Sequence, residues 1–269
     1  MIKIIFFGNG PLADAALNVL QQHQNYQIIF HAKTRADLEQ VKLLKTSDPS
    51  ILGVLASFGV LIKNDLLELF EPQGILNIHP SMLPKYRGAS PIESAILNGD
   101  QNFSVSIMKL VKAMDAGPVY YQATLTSDIF TTPLPEKSEI YSKLATHAAT
   151  WLATHLANLS APVPQDDSKA TYTYKLDTSM SPLDTKKQAL ELLNQIRAFQ
   201  GFPKSKLKIN HHECIILKAH LATQSEPDNR AKVRITCGDG QELIIDRLQP
   251  IGRKPMDALS FYNGYLKTK

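Results

Sequence analysis

Cysteine is scarce in this chain: there are two, Cys214 and Cys237. They form no CxxC pair and have no His pair nearby at a zinc-finger interval, which argues against a disulfide scaffold and a structural zinc. They read better as small buried hydrophobes, and no metal site is expected. Long apolar runs are missing too. No stretch approaches the roughly eighteen uninterrupted apolar residues of a membrane span, and "MIKIIFFGNGPLAD" meets its glycines too early for the apolar region of a signal peptide. Internal repeats and low-complexity tracts are absent. The expectation is a soluble, cytoplasmic protein with no membrane contact.

What remains is enough for a globular protein. With 43% hydrophobic residues among 269, the chain can bury one large core or, better, two. Its net charge of +4 is uneven. Residues 1 to 168 carry 12 Lys+Arg against 15 Asp+Glu, whereas residues 169 to 269 carry 17 against 10. A basic C-terminal part suits a nucleic-acid partner, although a lysine-rich solvated surface has the same composition.

The N-terminal part alternates strand and helix signals. "IKIIFF" is a β-rich run, "GNG" a turn, and "PLADAALNVLQQH" a helix with Pro11 in its first turn and Leu12, Ala15, Ala16, Val19 and Leu20 on one face. "YQIIFHA", "SILGVLAS" and "GILNIH" read as further strands, with helices "RADLEQVKLLK" and "NDLLELF" between them. Continuously apolar strands alternating with helices predict an α/β domain with a parallel sheet covered on both faces. "FSVSIMKLV" and "GPVYYQATLT" alternate as antiparallel strands do. The helix that follows places Ile140, Leu144, Ala148, Trp151, Leu152 and Leu159 on a buried stripe.

"SAPVPQDDSKATYTYK" has two prolines and no helical period, which predicts a linker over residues 160–175 between domains at 1–159 and 176–269. Beyond it, "TKKQALELLNQIRAF" is an amphipathic helix with Thr185 and Gln188 spaced as a capping box. Four short strand-like runs, from "SKLKIN" to "QELIIDRL", suggest a small β-barrel.

Three groups of residues could carry chemistry. "GNGPLA" satisfies a loose dinucleotide fingerprint, but His31, Ala32, Lys33, Thr34 and Arg35 stand where an NAD enzyme has its acidic residue. Only an NADP reading survives there, beside the simpler one of a tight turn for strand–helix packing. Asn77 and His79, two apart at a strand's carboxyl end, project from one face at the edge where parallel sheets bind ligands. Taken singly, each has an ordinary structural explanation as a turn cap or a core histidine. Asp115, in "AMDAGPVYY", has one as a turn former.

Together with their neighbours these residues resemble a family. Asn-x-His at a strand end, then "SMLP", "YRGASPI" and an Asp-x-Gly-Pro downstream, are similar to the folate-dependent formyltransferases, and "IRAF" with Pro203 and "LQPIGRKPM" extend the likeness toward the C-terminus. The resemblance implies a Rossmann-like N-terminal catalytic domain and an OB-like C-terminal one. It further implies formyl transfer from 10-formyltetrahydrofolate to the α-amine of methionyl initiator tRNA, with no stable protein partner. Asn77, His79 and Asp115 match the family's catalytic trio, and Ser81, Met82, Leu83 and Pro84 its folate-binding turn. One departure concerns the loop after the second strand, which in the family is longer, rich in Gly, Lys and Arg, and directed at the tRNA. Here it is only "HAKTRAD", with Lys33 and Arg35.

In such chemistry negative charge develops on the formyl oxygen, where the Asn77 amide and a protonated His79 can donate while Asp115 helps a water remove the amine's proton. In the C-terminal domain Lys204, Lys206 and Lys208, and likewise Arg230, Lys232 and Arg234, alternate with other residues, so each triplet shares one strand face. That face either tracks phosphates or is simply solvated. Two other functions fit the same residues: formylation of an amino sugar nucleotide or glycinamide ribonucleotide, and RNA binding without catalysis.

Overall fold

The computed structural model describes residues 1–132, 134–223 and 233–267. The chain divides into two compact units, one of residues 1–92 and 101–174, the other of residues 93–100 and 175–269.

The first unit is built on a six-stranded sheet in the order β2-β1-β3-β4-β5-β6. Its strands are β1 (Ile2–Phe7), β2 (Tyr26–Ala32), β3 (Leu52–Leu55), β4 (Ile75–His79), β5 (Phe103–Lys109) and β6 (Val119–Leu125). The first four run parallel, and β5 and β6 turn antiparallel. Helices α1 (Pro11–Gln22), α2 (Asp37–Ser47), α3 (Asn64–Leu69) and α5 (Lys137–His155) flank the sheet, and α4 (Pro91–Leu97), which begins where "YRGAS" ends, has residues 93–97 in the second unit. Period-two alternation assigns β1 to both faces: Ile5 and Phe7 join a core with Val41, Leu66 and Phe70, and Ile4 and Phe6, equally buried, point the other way.

Three details differ from the sequence expectation. In α1 the buried residues are Leu12, Ala13, Ala16, Leu17 and Leu20, so the apolar face is rotated away from Ala15 and Val19. In α5 Trp151 is half-buried rather than core, because its ring stacks between Tyr121 and His155 at 4.5 and 4.4 Å. The segment expected as a linker is tied to the first unit: Arg87 N–H donates to Thr171 O at 2.8 Å, Thr173 N–H to Arg87 O at 2.7 Å, and Val119 and Val163 exchange two hydrogen bonds of 2.8 Å.

The second unit is an antiparallel sheet of β7 (Ser205–Ile209), β8 (His212–Leu221), β9 (Val233–Thr236), β10 (Glu242–Pro250) and β11 (Met256–Asp257), accompanied by α6 (Ala189–Ala198) and α7 (Ala258–Phe261). The order is β11-β10-β8-β7, with β9 also on β10. Leu192, Leu193 and Ile196 of α6 pack with Cys214, Ile216, Leu243, Ile245, Leu248 and Phe261 in an apolar core of the unit. The Thr185–Gln188 capping box does not form. Helix α6 starts only at Ala189, whose N–H is held instead by the Asp239 carboxylate at 3.3 Å.

Both cysteines are buried and free. Burial, with Glu213 beside it, pushes the Cys214 thiol up to about 11, and burial raises that of Cys237 as well. The thiolate is the reactive form. In the native protein at pH 8 neither thiol should react with a colorimetric disulfide reagent, and both should react at once in denaturant. Absorbance with time checks this.

Candidate active site

Strand β4 is where the sheet changes from parallel to antiparallel pairing. It bonds to β3 on one side and β5 on the other, with Asn77 opposite both Leu55 and Met108 and His79 opposite Ser106. Asn77 and His79 are thereby placed at the carboxyl edge with only 6% and 4% of their surface exposed.

The imidazole of His79 is fixed from both sides. Its Nε2 lies 3.0 Å from the Tyr86 carbonyl. A carbonyl can only accept, so Nε2 carries a hydrogen and donates it. That leaves Nδ1 as the nitrogen that faces Asp115, whose Oδ2 is 3.7 Å away. Asp115 is itself positioned by the same loop, since Oδ2 accepts from Gly88 N–H at 2.8 Å. One short segment, Tyr86 to Gly88, therefore orients both the acid and the imidazole.

Asn77, His79 and Asp115 line one cavity of about 320 Å³, walled by Leu12, Phe58, Ile78 and Pro80. Asn77 is buried as a residue, and its amide is among the polar groups that line this cavity. Backbone strain collects here as well. Of the five non-glycine residues with positive φ among the described residues, Ser57 (52°) and Asp115 (47°) line the cavity and Tyr86 (61°) holds His79. Strain of this kind concentrates at ligand sites.

The remaining expected residues fall elsewhere. In the Ser81–Pro84 turn most polar groups are already engaged: Ser106 Oγ donates to Ser81 O at 2.6 Å and accepts from Leu83 N–H at 3.1 Å, and Gln122 Nε2 donates to Leu83 O at 2.8 Å. Leu83 and Pro84 line a different cavity, of about 410 Å³, with Val119 and Tyr120. Lys33 and Arg35 are exposed on a loop folded over Asp37, which accepts from Lys33 N–H and Thr34 N–H at 2.8 and 2.7 Å. Those backbone donors hold the Asp37 carboxyl below its usual range. The glycine of "GNG" has a packing reason, since a Cβ on Gly8 would stand 1.8 Å from the Ala56 carbonyl oxygen.

In the second unit Lys204 and Lys208 are exposed and Lys206 half-buried around β7. Arg234 forms an ion pair with Glu242 on the adjacent β10, so its charge is already matched. Arg230 and Lys232 lie outside the described residues. Sequence reasoning passed over Tyr86, Gly88, Ser106 and Gln122. The last two carried a signal, being polar side chains within strand-like runs, and they stand opposite each other on β5 and β6. Tyr86 acts through its carbonyl, which leaves none, and for Gly88 the signal was the glycine itself in "YRGASPI". Among the described residues no helix is long and apolar enough to cross a membrane, and no group of three or more His, Cys, Asp or Glu could hold a metal ion.

Comparison with known proteins gives a consistent result. Residues 5–156 match the family described as formyl transferase, and residues 175–266 match its C-terminal domain. The chain is 31% identical over 242 residues to the methionyl-tRNA formyltransferase of Borrelia duttonii (strain Ly), covering 85% of this chain and 76% of that relative. The solved methionyl-tRNA formyltransferase from Clostridium thermocellum shares the fold, with a TM-score of 0.68 at 17% identity over 93% of this chain and 99% of that one. HypX from Aquifex aeolicus, solved in complex with tetrahydrofolic acid, matches with a TM-score of 0.72 at 16% identity; the alignment covers 99% of this chain but only 48% of HypX.

Gly88 has φ +117°, and a Cβ there would meet Thr173 Oγ1 at 2.7 Å and Thr173 O at 2.9 Å. Gly88→Ala should therefore destabilise the protein by about 1–3 kcal/mol, read as a lower urea midpoint. An unchanged midpoint would mean that this loop is not held as described.

Proposed function

The chain belongs to the formyl transferase family, and we propose that it transfers a formyl group from 10-formyltetrahydrofolate to the α-amine of methionyl initiator tRNA, as a cytoplasmic enzyme of translation initiation. The observation that carries the chemical part is the meeting of the Asn77 amide, the His79 Nδ1 and the Asp115 carboxylate in one cavity.

The cosubstrate supplies the formyl group; the chain supplies charge stabilisation and proton handling. As the amine attacks the formyl carbon, Asn77 N–H and, in the imidazolium form, His79 Nδ1–H donate to the oxygen on which negative charge develops. Because both side chains are buried and their backbones locked in a two-sided ladder, little reorganisation is needed at that moment. Asp115 lies beside the imidazolium and offsets its charge. With Oδ2 engaged by Gly88, its other oxygen can hold the water that carries the amine's proton away. The apolar walls Leu12, Phe58 and Ile78 suit the formyl-bearing ring system. Met82, Leu83 and Pro84 would add apolar surface, since the polar groups of their turn are largely satisfied internally.

The RNA part of the reading rests on the relatives' names and on the basic balance of residues 169 to 269. The N-terminal domain would perform the chemistry while Lys204, Lys206 and Lys208 contact phosphates, with Lys33 and Arg35 adding what the short loop allows. The direct test compares formyl transfer to methionyl-tRNA with transfer to an amino sugar nucleotide. Efficient transfer to the sugar amine and none to the tRNA would overturn the proposal.

Two variant series sharpen it. His79→Ala or Asn77→Ala should lower kcat by roughly a hundredfold or more while KM for the folate changes little, measured by steady-state kinetics; near-normal turnover in either would displace the site. Replacing Lys204, Lys206 and Lys208 together by Ala should weaken tRNA binding and flatten its dependence on salt by about one unit of slope per lost phosphate contact, with folate affinity unchanged. An unaltered slope returns these lysines to a solvated surface.

A further inference from the structure

The two backbone segments that orient the site are joined by a side chain outside it. Gln165, half-buried on the segment expected as a linker, uses its whole hydrogen-bonding capacity. Its Oε1 accepts from Arg87 Nε at 3.1 Å and Arg87 Nη2 at 2.8 Å. Its Nε2 donates to Asp115 O at 2.8 Å and Gly117 O at 2.7 Å. The amide cannot be reversed, because a guanidinium only donates and a carbonyl only accepts.

Each end of this amide reaches a loop that matters. Arg87, 2% exposed, stands between Tyr86, whose carbonyl holds His79, and Gly88, whose N–H holds Asp115. Asp115 and Gly117 form the turn that places the carboxylate, and Asp115 keeps a left-handed φ of 47°. The Asp115 carboxylate is thus held from two directions, by Gly88 N–H at its head and by Gln165 at its own backbone. Arg87 is further tied by Asp167 at 2.6 Å, and the backbone of the strap runs alongside it through Thr171 and Thr173.

We propose that Gln165 is a positioning residue for the formyl transfer: its amide clamps the Asp115 turn to the Tyr86–Gly88 loop and sets the separation of Asp115 from His79. This rests on the reading of Asn77, His79 and Asp115 as the catalytic trio. Substrate contact by Gln165 is not required; it acts through two backbones. A glutamate in its place keeps the acceptor for Arg87 but turns a carboxylate oxygen toward two carbonyls. That selectively breaks the Asp115 side of the clamp.

The test compares Gln165→Glu with Asp115→Asn in the full-length protein by two readouts: kinetics, and amide hydrogen exchange at Gly88. Gln165→Glu should lower kcat by about ten- to a hundredfold with KM for the folate and for the tRNA within about twofold, and should speed exchange of Gly88 N–H, with little change in melting temperature. Gln165→Ala, which removes the clamp without introducing a charge, should show the same pattern and serves if the glutamate variant does not fold. Normal kcat and normal Gly88 exchange in the Gln165 variants, beside an inactive Asp115→Asn, would overturn the positioning role and leave the trio standing. Fast Gly88 exchange with full activity in both Gln165→Glu and Asp115→Asn would instead overturn the trio. A rise in KM with kcat unchanged would make Gln165 a binding residue and also contradict the proposal.

Discussion

The hydrogen bond from His79 Nε2 to the Tyr86 carbonyl, 3.0 Å long and buried, is the interaction on which the site depends. Because a carbonyl accepts and never donates, this bond decides which imidazole nitrogen is tied to the protein and which is turned toward Asp115 and the cavity. Without it the histidine would be a polar group at a strand end with two possible tautomers. With it, Nδ1 becomes the reactive position, and the 3.7 Å to Asp115 acquires a direction. The cost is a strained backbone, Tyr86 at φ 61°, which the surrounding hydrogen bonds must hold.

Those restraints come from three levels of the structure. The two-sided ladder of β4 fixes where Asn77 and His79 emerge. Ser106 and Gln122 consume the polar groups of the Ser81–Pro84 turn, so the chain leaves the strand along one path. Residues 163–174 then run beside the loop at Arg87, trading backbone hydrogen bonds with it. A connecting segment that looks dispensable by composition is thereby part of the first unit's framework. The second unit is built differently, around one apolar cluster of α6 and the antiparallel sheet, and its basic residues sit on a core that needs none of the site's geometry.

Much of this was legible in the sequence. Strands β1 to β6 announced themselves by apolar runs and alternation, and the "NIH" and "DAGP" motifs pointed to the three side chains that share the cavity. What stayed hidden has a common cause. Tyr86 acts through a carbonyl, which no residue identity encodes, and the need for glycine at position 88 does not reveal that its N–H holds Asp115. Gln165 acts through partners 50 and 78 residues away. Arg234 looked like one of a periodic cationic triplet, but its charge is matched by Glu242 on a neighbouring strand, a pairing that follows from sheet register and not from local pattern. The capping of α6 by Asp239 instead of Thr185 is the same kind of long-range substitution.

The most direct measurement is the tautomeric state of His79 by nitrogen-15 NMR of the ring, in the wild-type protein with the imidazole neutral. The account predicts hydrogen on Nε2 and a bare Nδ1. A neutral imidazole with hydrogen on Nδ1 would contradict it, because the Tyr86 carbonyl would then face a lone pair and the orientation of the site toward Asp115 would be lost.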